Sequence, residues 1–309
     1  MSSYKNNIYY SIKPFIPRKL QIMLRRKGVS IKRFLYKSVW PIDEKAGKVP
    51  DGWKGWPAKK QFALVLTHDI ESGRGHEKCD NLIKIEKRLG FISSFNFVAE
   101  GYKDLPELRH YLVNNGFEVG VHGLTHDGKL YTSKKIFDQQ AQRINQYLKE
   151  WKAAGFRSPS MHCNLEWIHE LDIEYDASTF DTDPFEPQPE GIRSIFPFWV
   201  SGNGKKRGYV ELPYTLPQDF TLFVLMQEKS PDIWKRKLDW IAEKGGMALM
   251  IVHPDYLNFN GREFGIDEYP SAYYEEFLGY IKSKYRDKYW NVLPKDIARF
   301  WMENYARGD

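Results

Sequence analysis

Three kinds of feature are scarce in this sequence, and each scarcity narrows the class of protein. The two cysteines, Cys79 and Cys163, cannot form a disulfide framework, so a reducing, cytoplasmic setting is expected. The longest uninterrupted apolar run is the six residues 247–252, whereas a transmembrane helix needs about 20 such residues. No apolar block followed by a small-residue cleavage site is visible near Met1, so neither export nor a membrane span is expected.

Acidic residues are missing from one part of the chain. Residues 1–40 contain ten Lys and Arg and no Asp or Glu. The whole chain has a net charge of +6, so residues 41–309 carry a small negative charge between them. The basic character therefore belongs to an N-terminal arm and not to the protein as a whole.

A short helix is predicted within this arm. Pro17 suits its first turn and Gly28 suits its end. Its few apolar residues follow the i, i+3, i+4, i+7 spacing, in the set Leu20, Met23, Leu24 and Lys27. Two interpretations stay open: attachment to an anionic membrane surface or a phosphate-bearing substrate, or a solvated basic helix packed on the main domain.

What the sequence does contain is a globular composition, with 309 residues of which 42% are hydrophobic and 28% charged. After a loop rich in Pro, Gly and Trp at 49–57, strand and helix patterns alternate. Strands are predicted at 62–67, 94–98, 117–121, 192–196, 209–212, 247–252 and 292–293. Helices are predicted at 76–89, 104–115, 133–154, 231–244 and 271–285, with a last one from Pro294.

This alternation predicts an α/β fold built from parallel β/α units. Six to eight strands over residues 59–309 suit a (β/α) barrel, with residues 1–58 as a basic arm and linker. An open, doubly wound sheet is the alternative. No G-x-G-x-x-G follows the first strand, which argues against a dinucleotide-binding version of that sheet.

Ionisable residues gather where the predicted strands end, which is where active groups lie in a (β/α) barrel. The first strand ends in Asp69 and Glu71, and residues two apart in an extended chain face the same side. Both carboxylates can therefore face one cleft, with His68 on the other side. Like charges this close favour a cation between them, although a solvated loop pair is equally compatible with the pattern.

The third strand is followed by His122 and His126, an H-x3-H pair that fits one face of a helical turn or a tight loop. Two histidines and a carboxylate are common ligands of catalytic zinc, with one position left for water. A pair of buried, hydrogen-bonded histidines is the alternative.

Two further residues fit a catalytic site. Arg157 precedes Ser158-Pro159, which favours an extended backbone from which a guanidinium can hold a carboxylate. His253 ends the apolar strand 247–252 and suits a general acid or base. The alternative for Arg157 is a surface salt bridge, and the alternative for His253 is a hydrogen-bonded histidine of the core.

The order of these motifs resembles that of the polysaccharide deacetylases, the NodB-homology enzymes of carbohydrate esterase family 4. The resemblance covers residues 60–300. It implies a distorted (β/α) barrel with seven or eight units. It also implies a divalent metal, most often zinc with cobalt or nickel as alternatives, and removal of N-acetyl or related acyl groups from a sugar.

The resemblance also implies a role for each residue. Asp69 would be the catalytic base, Arg157 the arginine that orients it, and His253 the general acid. The metal ligands would be Glu71, His122 and His126. The family motif T-F-D-D (D-x-D in some branches) here reads Thr67-His68-Asp69-Ile70-Glu71, so the ligand carboxylate is a glutamate two residues beyond the base.

Two rival interpretations compete with this one. Two histidines and a carboxylate also form the facial triad of non-haem iron oxygenases, but the β/α pattern argues against that class. A non-catalytic, glycan-binding relative is the second rival, since the Glu71 departure leaves room for a weakened metal site.

The expected partner is an N-acylated sugar, with no nucleic acid involved. Trp199 and Tyr214 are candidates for stacking on that sugar. The basic arm at 1–40 and the missing signal favour a nucleotide-linked or lipid-linked sugar in cell-surface polysaccharide biosynthesis. The expected location is the cytoplasm, peripheral to the inner membrane surface.

Overall fold

The computed structural model describes residues 16–103, 106–202, 204, 207–261 and 263–305. Its centre is a curled sheet of nine strands, in which β6 alone runs antiparallel. The strands are β1 (Phe62–Ile70), β2 (Ser94–Phe97), β3 (Glu118–Val121), β4 (Gly155–Phe156), β5 (Tyr175–Asp176), β6 (Phe198–Val200), β7 (Tyr209–Glu211), β8 (Met247–Val252) and β11 (Tyr289–Asn291). The strands β9 (Leu257–Asn258) and β10 (Tyr269–Pro270) form a separate pair.

The sheet curls into a distorted (β/α) barrel. From β8 the order is β8-β1-β2-β3-β4-β5-β7-β6, and β11 pairs with the first residues of β1. The segment after β7 completes the curl, because the N–H groups of Thr215 and Leu216 donate to Leu249 O on β8 at 3.0 and 3.1 Å. Since β1 and β8 are buried along their whole length, they form the centre of the core.

The described helices are α1 (Arg18–Leu35), α2 (Gly73–Leu89), α3 (Pro106–Asn114), α4 (Lys134–Trp151), α5 (Leu165–Ile168), α6 (Asp232–Lys244), α7 (Ala272–Lys284) and α8 (Pro294–Tyr305). Glycine ends two of them, because Gly90 and Gly245 adopt left-handed backbone angles, with φ of 79° and 73°. None of the helices in the described ranges is long and apolar enough to cross a bilayer.

Two of the predicted short strands are wrong. Residues 192–196 form no strand, because Arg193 has a φ of +55° and the backbone bonds of Ile195 go to two different segments, at Ala46 and Met247. The strand of this region is β6, which begins at Phe198. The last strand, β11, precedes the predicted 292–293 and ends at Asn291.

The first strand is longer than predicted. Pairing of residues 67–70 with β2 keeps the chain extended through Asp69 and as far as Ile70. Asp69 therefore lies within β1, and Glu71 is the first residue beyond it.

Helix α1 also differs from its prediction. It does not end at Gly28 but continues to Leu35, with Val29 buried seven residues after the buried Ile22. The predicted apolar stripe is not the packed face, since Leu20, Met23 and Leu24 are exposed. The opposite face packs on the barrel, and Arg26 Nε donates to Val224 O at 3.0 Å.

Candidate active site and metal centre

A cleft of about 810 Å³ lies where the strands of the barrel end. Five of the six residues singled out for catalysis and metal binding line it, namely Asp69, Glu71, His122, His126 and His253. The sixth, Arg157, lies behind the cleft wall with 1% of its side chain exposed. Strand ends from β1, β3 and β8 thus converge, as the parallel arrangement requires.

Glu71, His122 and His126 form a group that fits a metal ion. One ligand atom of each lies within 4.8 Å of the others. His122 Nδ1 is 3.0 Å from Arg157 O, so Nδ1–H donates to that carbonyl and Nε2 keeps its lone pair for a ligand. Burial lowers the pKa of His122 to about 4, which keeps this imidazole neutral, the form that binds a metal.

The contact between His126 and Glu71 supports the same fit. His126 Nε2 lies 3.1 Å from Glu71 Oε1, and Ser160 N–H donates to the same nitrogen at 3.3 Å. His126 Nε2 and Glu71 Oε1 therefore lie close enough together to bind one cation. A divalent cation would satisfy both atoms, which is the chemistry expected of this donor set.

The histidine pair lies on a loop and not on a helical turn. Gly123, next to His122, has a φ of +71°, and a Cβ placed there would lie 2.5 Å from Pro159 Cγ. The loop therefore folds tightly against the segment that carries Arg157. This close approach brings His126 back over His122, with their ring centroids 5.4 Å apart.

Asp69 is held in place by two donors. Asn96 Nδ2 and an Arg157 terminal nitrogen donate to Asp69 Oδ1 at 2.8 and 3.1 Å. Burial alone would raise the pKa of Asp69, but Arg157, His122, His253 and Asn96 together lower it below its usual value. The carboxylate is thus ionised, and Oδ2 is the oxygen free to accept a proton in the cleft.

His253 is held by a carboxylate that sequence reasoning missed. Its Nδ1 donates to Asp219 Oδ1 at 2.6 Å, and its Nε2 lies 3.7 Å from Glu71 Oε1. Burial would lower the pKa of His253, but Asp219, Glu71 and Asp69 raise it to about 10. The imidazole is therefore protonated near neutral pH, with Nε2–H directed toward Glu71.

Comparisons with solved structures agree with this fold. Puue allantoinase is similar over 82% of this chain and 94% of its own, with a TM-score of 0.63 and 18% identity. A protein described as a polysaccharide deacetylase from Pseudomonas aeruginosa PAO1 matches 82% of this chain and 95% of its own, with a TM-score of 0.61 and 19% identity. A protein so described from Mycobacterium smegmatis gives a TM-score of 0.59 at 19% identity, with 82% and 94% covered.

The chain has the polysaccharide deacetylase fold. No protein-family model matches the sequence, and no curated protein is similar to it in sequence. The similarity is therefore one of three-dimensional structure, at sequence identities of 18–19%.

Within this deacetylase fold, three further residues support the site. Asp219 lies 34 residues before His253, Asn96 lies on β2, and the Tyr256 hydroxyl donates to Glu71 Oε2 at 2.6 Å. None of the three lies near its hydrogen-bond partner in the sequence, so residue spacing could not predict Asp219 or Asn96. Only Tyr256 could have been predicted from the sequence, because it lies three residues after His253, where a strand ends.

The two aromatic residues proposed for sugar stacking lie elsewhere. Tyr214 is buried, and its hydroxyl lies within hydrogen-bond distance of Asp183 Oδ2 and Glu186 Oε1, at 2.9 and 2.8 Å. Trp199 is half-buried on β6 against Gly208 and does not line the cleft. The aromatic rings that do line it are Phe185, Phe220 and Tyr256. These residues replace Trp199 and Tyr214 as candidates for contact with a sugar ring.

Proposed function

We propose that this protein is a metal-dependent hydrolase that removes an N-acetyl or related acyl group from a sugar. The observation that carries the proposal is the convergence of His122, His126 and Glu71 beside an ionised Asp69 and a protonated His253 in one cleft. The similarity in fold to proteins described as polysaccharide deacetylases supports the choice of an acylated sugar.

Glu71, His122 and His126 would hold the metal, most suitably zinc, with cobalt or nickel as alternatives. The ion supplies Lewis acidity, which activates water and stabilises an oxyanion. The remaining chemistry belongs to the chain itself. Asp69 Oδ2 takes the proton of the water whose oxygen attacks the acyl carbon, while Arg157 and Asn96 keep Asp69 ionised and oriented.

His253 completes the reaction. Its Nε2–H donates a proton to the amide nitrogen as the C–N bond breaks, and the products are a carboxylate and a free amine. Asp219 accepts from His253 Nδ1 and so fixes the direction in which Nε2 points. Two groups with pKa values shifted in opposite directions thus serve as base and acid.

The test is release of acetate from a chito-oligosaccharide and from a nucleotide-linked N-acetylhexosamine, with each candidate metal supplied. Asp69→Asn and His253→Gln should each lower turnover by about 10²- to 10⁴-fold. Asp80→Asn, at an exposed carboxylate on α2, is the matched control and should leave turnover unchanged. Equal turnover in Asp69→Asn and the wild-type protein would refute the proposed base.

A glycan-binding protein without catalysis is the second candidate, and the observation that favours it is the glutamate at the ligand position. Such a protein would bind the same sugars, for example in calorimetry, and release no acetate with any metal.

For the substrate we propose a phosphate-linked sugar, carried on a nucleotide or a lipid, in cell-surface polysaccharide biosynthesis. Arg18, Arg25 and Lys32 on the inner face of α1 line the same cleft as the metal ligands. Arg18 pairs with Asp267, and Arg25 and Lys32 support an anionic substrate. The proposed location is the cytoplasm, at the inner membrane surface.

A further inference from the structure

The outer face of α1 carries a ridge of apolar side chains that are exposed among the residues the structure describes. It consists of Leu20, Met23, Leu24, Ile31, Phe34 and Leu35, which recur three, four and seven residues apart along one side of the helix. Their exposure rises along the helix, from 46% for Leu20 to 64% for Ile31 and 71% for Phe34. Six large apolar side chains thus lie along one side of the helix, with Lys27 between Leu24 and Ile31.

This ridge stands out from the rest of the described surface. Twelve large hydrophobic residues are exposed within the described ranges, and seven of them lie on α1 or at Tyr36, its C-terminal cap. The other five are scattered over the chain at Val49, Tyr111, Val113, Ile192 and Phe264. Isolated exposed apolar residues are ordinary, whereas a contiguous patch marks an interaction surface.

The charges around the ridge indicate which kind of partner it binds. Lys27 lies within the ridge and Lys19 beside it, while Lys37 Nζ lies 5.3 Å above the Phe34 ring. Residues 1–40 contain no acid to balance these cations. A second copy of the chain would bring like charges together, whereas an anionic lipid surface complements both the cations and the apolar strip.

The opposite face of the same helix meets the catalytic cleft. Arg18, Arg25 and Lys32 recur at seven-residue spacing and line the cleft. Arg25 lies 4.7 Å above the Phe220 ring, and Lys32 Nζ donates to Pro184 O at 2.8 Å. One helix therefore presents an apolar face outward and a row of cations inward, toward the proposed metal centre.

We propose that the outer face of α1 docks this protein on an anionic membrane surface, which sets the mouth of the catalytic cleft at the level of the lipid headgroups. The consequence for substrate, which rests on the proposed function, is a sugar joined through phosphate to a lipid. The inner cations of α1 would meet that phosphate while the sugar reaches the metal ligands.

The test is sedimentation of the full chain with phosphatidylcholine vesicles, with and without phosphatidylglycerol. Wild-type protein should bind the vesicles that contain phosphatidylglycerol, and added salt should weaken binding. The variant Leu24→Ser/Ile31→Ser/Phe34→Ser should bind at least about tenfold more weakly. The matched control Val113→Ser/Ile192→Ser/Phe264→Ser removes three exposed apolar residues elsewhere and should bind as the wild-type protein does.

Three results would overturn the proposal: no binding to vesicles that contain phosphatidylglycerol, equal binding by the α1 variant, or self-association that the α1 variant abolishes. Acetate release from a water-soluble N-acetylated sugar is measured in parallel. The α1 variant should keep this activity, because none of its three residues lines the cleft. Membrane binding without acetate release would contradict the proposed deacetylase alone, and acetate release without membrane binding would contradict the docking alone.

Discussion

Arg157 links the base to the wall of the barrel. Besides Asp69, its guanidinium donates to Thr67 Oγ1 at 2.7 Å and to Ala177 O at 2.9 Å. The Arg157–Asp69 pair is almost fully buried. Replacing only one partner of such a pair leaves a charge without compensation in a low-dielectric site. Arg157 therefore supports both the stability of the barrel and the ionisation of Asp69.

We expect Arg157→Met to lower the free energy of unfolding by about 4 kcal/mol and to abolish acetate release. The matched control is Arg143→Met, which breaks the pair of an exposed arginine with Glu100. That exposed pair should contribute about 0–1 kcal/mol. Urea unfolding of both variants measures the difference, and similar losses would contradict the role of Arg157.

Asp219 accepts four hydrogen bonds, two of them from His253. Besides Nδ1 of that imidazole, it accepts from the His253 backbone N–H and from the Tyr269 hydroxyl, at 2.8 and 2.9 Å. We expect Asp219→Asn to lower kcat about 10- to 100-fold with little change in KM, because the acid loses its orientation while the cleft stays intact. A change in KM alone, with kcat preserved, would show that Asp219 does not position the acid.

At the scale of elements, the loop between β3 and α4 decides whether the two histidines meet. Gly123 combines a φ of +71° with the close approach of Pro159, whereas Gly90 has a φ of +79° and open space around its Cβ position. Both glycines would suffer backbone strain on substitution, but only Gly123 would also meet a clash.

We therefore expect Gly123→Ala to weaken metal binding at least about tenfold, while Gly90→Ala costs only about 1 kcal/mol of stability. Competition with a chromogenic chelator measures the metal affinity of each variant. Unchanged affinity in Gly123→Ala would mean that the loop geometry does not set the ligand positions.

Most of the elements of the fold could be predicted from the sequence. The buried strands and the glycine-ended helices follow local patterns, and the barrel and its strand-end residues follow from them. The partners of His253 and Asp69 could not be predicted, because Asn96 meets Asp69 through the pairing of β2 with β1, and Asp219 lies in the segment after β7 that bonds to β8. The packed face of α1 could not be predicted either. The spacing of its apolar residues identifies a stripe but does not show whether Leu20 and Leu24 face the barrel or solvent.

For the whole molecule, buried carboxyl groups control how stability depends on pH. Glu118 at the start of β3 accepts from the Tyr175 hydroxyl at 2.9 Å and from Lys295 N–H at 3.1 Å. Burial raises the pKa of Glu118 to about 7. The folded protein thus holds a proton that the unfolded chain releases near pH 4.5, and the contribution of Glu118 to stability falls as pH rises from there to about 7.

We expect Glu118→Gln to match the wild-type stability near pH 5 and to exceed it near pH 8 by up to about 3 kcal/mol, since the amide is neutral throughout. Chemical unfolding at the two pH values measures the difference. An equal difference between variant and wild type at both values would contradict the shifted pKa.

The proposed function requires that Glu71, His122 and His126 hold a metal. Elemental analysis tests it most directly, on wild-type protein and on His122→Ala/His126→Ala, both purified without chelator or metal-affinity tags. We predict about one zinc, cobalt or nickel per wild-type chain and none in the double variant. No metal after incubation with each ion, or equal metal content in the double variant, would contradict this, and iron in the wild-type protein would point to the oxygenase class instead.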